Sequence, residues 1–147
     1  MRYLVFLGRI LFSAIFILSG IFHFSSGAIH LAERHGVPLA FILVPIANII
    51  SLLGGLSILL GYKARYGAIL LVIHLVCVTF LMHRFWELSD PLMITLQRAL
   101  FMKNLSMLGA CLLIIYFGSG PFSLDRKLNA KARRPKDVKK EQDRQDR

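Results

Sequence analysis

An all-α, four-span membrane bundle is the fold this chain predicts, and three observations predict it. Apolar runs over Tyr3–Phe22, Pro38–Leu60, Tyr66–Met82 and Ala99–Phe117 fill most of the 147 residues. A helix needs about 20 apolar residues to cross about 30 Å of hydrocarbon, and each run is near that length. None of them carries the charged face that a soluble helix would turn to water. The hydrophobic share of 56% and the mean hydropathy of +0.62 put the whole chain in the same class. The expected organisation is a four-helix transmembrane domain over residues 1–118, followed by a basic, disordered tail over 119–147.

The first run is read as a retained span rather than a cleavable signal. It carries Arg9, and His23-Phe24-Ser25-Ser26 follows it without a small-x-small cleavage pattern. Arg9, Ser13, Phe16, Gly20 and His23 recur every three or four residues, which puts them on one helical face. Two readings of Arg9 stand: it snorkels to the nearer headgroups, or it meets a buried partner or anionic ligand.

The second run places Asn48, Ser51 and Gly55 on one face. An amide near the midplane needs a hydrogen-bond partner, so Asn48 either bridges helices or contacts a ligand. In the third run His74 lies near the middle. It is either a neutral imidazole bonded to a neighbouring serine or carbonyl, or a group that relays protons or holds a quinone oxygen.

Between the third and fourth runs stand His83-Arg84-Phe85-Trp86 and then Ser89-Asp90-Pro91. Aspartate before proline predicts an N-cap with proline in the first turn, so the fourth helix starts near Pro91 and enters the bilayer around Ala99. Trp86 and His83 suit an interfacial belt. A sharper reading gathers His83, Trp86, Lys103, Asn104 and His23 around one outward-facing pocket. Such a pocket would hold an anion or a quinone head group between a cation, an amide and an aromatic wall.

Charge sets the orientation. The chain has 18 Lys and Arg against 8 Asp and Glu. In a soluble protein that excess would suggest nucleic acid; here its distribution follows the spans. Arg2, Arg9, Lys63, Arg65 and the basic stretch from Arg126 to Arg147 share one side, against Arg34, Arg84, Arg98 and Lys103 on the other. The positive-inside rule puts both termini in the cytoplasm of a plasma or inner membrane. The tail could also rest on anionic headgroups, at about 1 kcal/mol per basic residue near the surface.

No catalytic motif is present. The histidines lack HxxxH or HExxH spacing, so no metal site is expected. Cys77 and Cys111 form no C-x-x-C pair, and their places on antiparallel helices leave about 9 Å of axial offset, too far for a bridge. Glu33, Glu87, Asp90 and Asp125 all lie outside the runs, which weighs against a proton-coupled transporter.

Several stretches, taken in order, carry a family likeness. They are Leu7-Gly8-Arg9-Ile10-Leu11 with Leu18-Ser19-Gly20, then Leu53-Gly54-Gly55-Leu56 through Leu60-Gly61, then His83-Arg84-Phe85-Trp86. Lys103-Asn104-Leu105, Leu108-Gly109 and Gly118-Ser119-Gly120 before Ser123-Leu124-Asp125 complete the set. Over residues 5–125 the chain resembles the DoxX/DoxD-like family of small four-helix membrane proteins. It departs from that pattern at Ser51, where the family often has glutamate, and at His23, where lysine is common. The resemblance implies a membrane subunit of a quinone- or sulfur-linked redox system. Its site residues would include Arg9, His83, Trp86, Lys103 and Asn104. A protein partner would carry the cofactor, the chain itself holding at most a quinone. Two other functions compete: a small-molecule or lipid carrier, working as a homo-oligomer, and an anchor whose basic tail recruits cytoplasmic partners.

Overall fold

The computed structural model describes residues 2–22 and 26–130. The described residues contain no strand, and their main elements are five α-helices: α1 (Arg2–Phe22), α2 (Ser26–Arg34), α3 (Ala40–Leu60), α4 (Ala64–Met82) and α5 (Pro91–Phe117). α1, α3, α4 and α5 are the four helices long and apolar enough to cross a membrane. The fourth run is longer than its apolar stretch because Asp90 starts it early. The Asp90 carboxylate accepts the Leu92 amide at 3.2 Å, and Pro91 occupies the first turn.

The helices pack in the order α1, α3, α4, α5, and α2 leans on α3. Close backbone approach sets the two tightest seams. A Cβ on Gly20 of α1 would stand 2.9 Å from Leu52 Cβ and 3.0 Å from the Asn48 carbonyl of α3. A Cβ on Gly67 of α4 would run into the Ser57 side chain of α3. Small residues are the usual means of helix association in a bilayer, where hydrophobicity alone gives no drive to pair. Ser51 adds a polar tie across the first seam, its hydroxyl donating to the Phe16 carbonyl at 3.0 Å. The buried core runs along the shared axis through Phe16, Ile58, Ala68, Leu71, Leu75 and Cys111. Cys111 is buried and Cys77 exposed, and both are free thiols.

Two ends can be distinguished. The proximal end holds the start of α1, the α3–α4 turn and the end of α5; the distal end holds α2, the α4–α5 connection and the start of α5. α2 fills a stretch expected to be loop. Its Ala28, Leu31 and Ala32 fall at helical spacing opposite His30, Glu33 and Arg34, and Ala32 is buried. The distal end is tied by Arg84, whose guanidinium donates to the His35 carbonyl and lies 3.2 Å from Glu87.

The segment expected to open a disordered tail is instead folded at its start. Residues 119–125 turn back over the proximal end, and 124–130 are helical. Residues 131–147 lie outside the described residues, as does His23.

Candidate functional site: a distal cavity in the bundle

A cavity of about 370 Å³ opens between all five helices in the distal half of the bundle. Most of its wall is apolar, with Phe16 from α1, Val44 from α3, Val78 from α4, and Leu100 and Met107 from α5. Six polar side chains reach it: Ser19, Asn48, His74, His83, Lys103 and Asn104. Helical periodicity explains the convergence. Lys103, Asn104 and Met107 share one face of α5, while His74, Leu75 and Val78 share one face of α4. α2 closes the distal side with Ala28, Leu31 and Ala32.

The chemistry of these groups is asymmetric. His74 Nδ1 is buried and has no hydrogen-bond partner among the described residues, although its ring also lies against the Ala47 carbonyl. His83 Nδ1 lies 2.7 Å from Gln97 Oε1. An amide oxygen only accepts, so Nδ1 carries the proton and Nε2 of the neutral ring is an acceptor. Among the described residues, Lys103 has no carboxylate within ion-pair distance. Asn104 is buried, and Asn48 and Ser19 are engaged in interactions of their own. The polar wall therefore offers one cation, an amide and imidazole nitrogens, with no carboxylate among the lining residues. Such a surface suits an oxygen-rich or anionic head joined to an apolar body.

One side of the bundle is less closed than the others. Close packing joins α1 to α3, α3 to α4 and α4 to α5, but no comparable pairing joins α1 to α5. The cavity is lined on that side by Ile15 and Ser19 from α1 and by Leu100 and Lys103 from α5. Among the described residues, no group of three His, Cys, Asp or Glu side chains comes together to hold a metal ion.

Of the residues expected at a site, the structure brings His74, His83, Lys103 and Asn104 to one cavity and leaves two elsewhere. Trp86 is exposed on a short 3-10 turn, Phe85–Glu87, edge-on to Phe85 and Phe101 with ring centroids 5.2 and 6.1 Å away. That aromatic cluster stands at the distal rim, where a tryptophan meets both hydrocarbon and headgroups. Arg9 lies at the proximal end and is only 7% exposed. Its guanidinium donates to the Ser119 and Leu59 carbonyls, both at 2.7 Å, and more weakly to Pro121 and Phe122 at 3.4 Å. Backbone carbonyls take up both terminal nitrogens, while the buried Nε has no hydrogen-bond partner among the described residues. Gln97 was missed by sequence reasoning; its place fourteen residues after His83, across a loop of unknown path, gave no periodic signal.

The SURF4 family model matches residues 1–131. The chain is 35% identical over 130 residues to the inner membrane protein YqjF of Escherichia coli (strain K12), covering 86% of this chain and 93% of that protein. It is 29% identical over 105 residues to the inner membrane protein YphA of the same organism, covering 69% of this chain and 71% of that one. No solved structure matches. The family match overturns the DoxX/DoxD-like assignment, because it spans every stretch that carried the resemblance. Those stretches are largely packing and turn devices. Gly54 and Gly55 lie in helix seams, and Gly118 and Gly120 take positive φ in the turn after α5, as a tight bundle of any lineage could use them.

Proposed function

The chain is an integral inner membrane protein of the SURF4 family, and we propose that it binds a small amphipathic molecule in its distal cavity. The observation that carries this reading is the orphaned Nδ1 of His74 in a mostly apolar cavity that also admits the Lys103 ammonium. A buried imidazole nitrogen without a partner costs stability unless a ligand or water completes it. The head of the ligand is a hydroxyl, phenol or protonated acid, whose oxygen accepts from Lys103 and Asn104 while its O–H donates to the acceptor nitrogen of an imidazole. Its apolar body lies against Phe16, Val78 and Met107. Entry is sideways from the bilayer between α1 and α5, which suits a molecule already dissolved in lipid.

This is a binding or carrier role. The reduced, quinol form of a quinone meets the same requirements, since its hydroxyl donates to an imidazole nitrogen where a quinone carbonyl cannot; a redox partner protein would then supply the cofactor. Both termini face the cytoplasm in this reading, because Lys63, Arg65, Arg126 and Lys127 crowd the proximal end.

The test is mass spectrometry of small molecules extracted from the protein after purification in mild detergent. Wild type is expected to carry a discrete amphipathic species that His74→Phe and Lys103→Met both lose while keeping their helicity. An extract indistinguishable from bulk lipid, or a species retained by both variants, refutes the reading. A recovered quinone would place the protein beside redox chemistry; a fatty acid or other lipid would make it a carrier.

A further inference from the structure

A second pocket, of about 680 Å³, opens at the proximal end, far from the distal cavity. It lies between the first turn of α4, the last turn of α5 and the folded-back segment 118–130. We propose that it binds the phosphate of one anionic glycerophospholipid.

Three cations line the pocket: Lys63, Arg65 and Arg126. Asp125 is the single carboxylate among the lining residues, and it is already engaged. Its Oδ1 accepts the Lys63 amide at 2.9 Å, and its Oδ2 accepts the Ser119 hydroxyl. Among the described residues, none of the three cations has a carboxylate within ion-pair distance. The pocket therefore carries net positive charge, three cations against one carboxylate, at the level where two spans end and headgroups begin.

Arg65 is partly fixed, since its guanidinium donates to the Tyr116 carbonyl at 3.3 Å. That bond uses one nitrogen of a planar fork whose other donors suit the tetrahedral oxygens of a phosphate. Beside it, Tyr66 and Phe117 line the same pocket and are 69% and 73% exposed. Both belong to membrane-crossing helices, so that exposure faces lipid. Cations above and two aromatic side chains below match a headgroup joined to its glycerol and first acyl carbons. A free phosphate would satisfy the cations and leave the aromatic walls without an occupant.

The experiment is native mass spectrometry of the full-length, delipidated protein titrated with phosphatidylglycerol or phosphatidylcholine. One phosphatidylglycerol adduct is expected to survive at about tenfold lower lipid concentration than any phosphatidylcholine adduct, on the scale of one or two basic contacts. Arg65→Gln and the double variant Lys63→Asn with Arg126→Gln should each erase that preference. Asparagine is chosen at 63 because the backbone there has φ of 48°, a conformation asparagine tolerates. Arg98→Gln, at the other end of the bundle, should keep the preference, so general loss of charge is separated from loss of the site. Equal retention of the two lipids overturns the proposal, as does a preference that survives the proximal variants. Displacement of the adduct by millimolar glycerol 3-phosphate or inorganic phosphate also overturns the lipid as occupant. Should Arg65→Gln fail to fold, the double variant decides the matter alone.

Discussion

Asp125 caps a helix to which it does not belong. Its carboxylate accepts the amide of Lys63, 62 positions earlier, at 2.9 Å, at the very start of α4. Lys63 has a left-handed backbone and no local side chain to cap the helix, so the cap comes from the far end of the described chain. The same aspartate returns its own amide to the Gly61 carbonyl at 3.1 Å. A helix start, the α3–α4 turn and the segment after α5 are thus one hydrogen-bonded unit.

Protonating Asp125 should loosen that unit. Burial works to raise its pKa, but amide hydrogen bonds from Lys63 and Ala64, the Ser119 hydroxyl and the Lys63 charge outweigh it. The carboxyl is held below its ordinary value of 3.8. A depressed carboxyl stabilises the fold fully above that ordinary value, and the contribution fades as pH falls through the lower folded value. Asp125→Asn keeps an acceptor for the Lys63 amide but removes the charge, and at neutral pH should cost less than about 1 kcal/mol, the loss when a helix cap is removed outright. Melting curves of wild type and variant in detergent should differ at pH 7 and converge in acid. A gap that persists unchanged below the carboxylate range would disprove the assignment.

Arg9→Ala should be more damaging. It strips the Ser119 and Leu59 carbonyls of a charged donor in a poorly hydrated place, where each such bond contributes about 1.5–3 kcal/mol. Residues 118–125 should then become sensitive to protease while the spans stay protected. Arg9→Lys should rescue only part of this, since an ammonium cannot span two carbonyls in the fork geometry. Equal protease resistance in all three proteins would show that the segment is held by something else.

Two glycines provide a matched pair. Gly67→Ala forces a methyl into Ser57 across the α3–α4 seam and should destabilise by about 1–3 kcal/mol, the range for overpacking. Gly109→Ala meets nothing within 4 Å and should be neutral or slightly stabilising, by up to about 1 kcal/mol of helix propensity. Unfolding of both variants in denaturant under one detergent condition checks the ranking, and the reverse order would discredit the seam.

Ser51→Ala removes the donor to the Phe16 carbonyl between α3 and α1. Interhelical hydrogen bonds in bilayers average about 0.6 kcal/mol, so the loss should be small and measurable only by a sensitive unfolding assay. A loss above about 2 kcal/mol would point to a wider network through Ser51.

The spans and the Asp90-Pro91 helix start were legible because they rest on local chemistry: run length, a capping carboxylate and a fixed proline φ. The grouping of His74 with Lys103 and Asn104 was half legible, since periodicity gave each helix face but not which faces meet. Arg9 shows the limit. Its partners are backbone carbonyls 50 and 110 positions away, and a carbonyl has no residue signature. Gln97 depends on the path of the α4–α5 connection, and the cavity on how far α1 stands from α5, a property of four helices together. α2 was visible in principle, as a nine-residue amphipathic pattern, but so short a helix is stable only through its contact with α3.

The hold of Ser119 on Arg9 also sets an order on assembly. A ribosome delivers α1 first, and Arg9 enters the membrane long before residues 119–122 exist to receive it. Until then its guanidinium must borrow partners from water, headgroups or the insertion machinery. The first helix to be made is therefore the last to be completed, and the bundle can be sealed at this end only after the last span has been threaded.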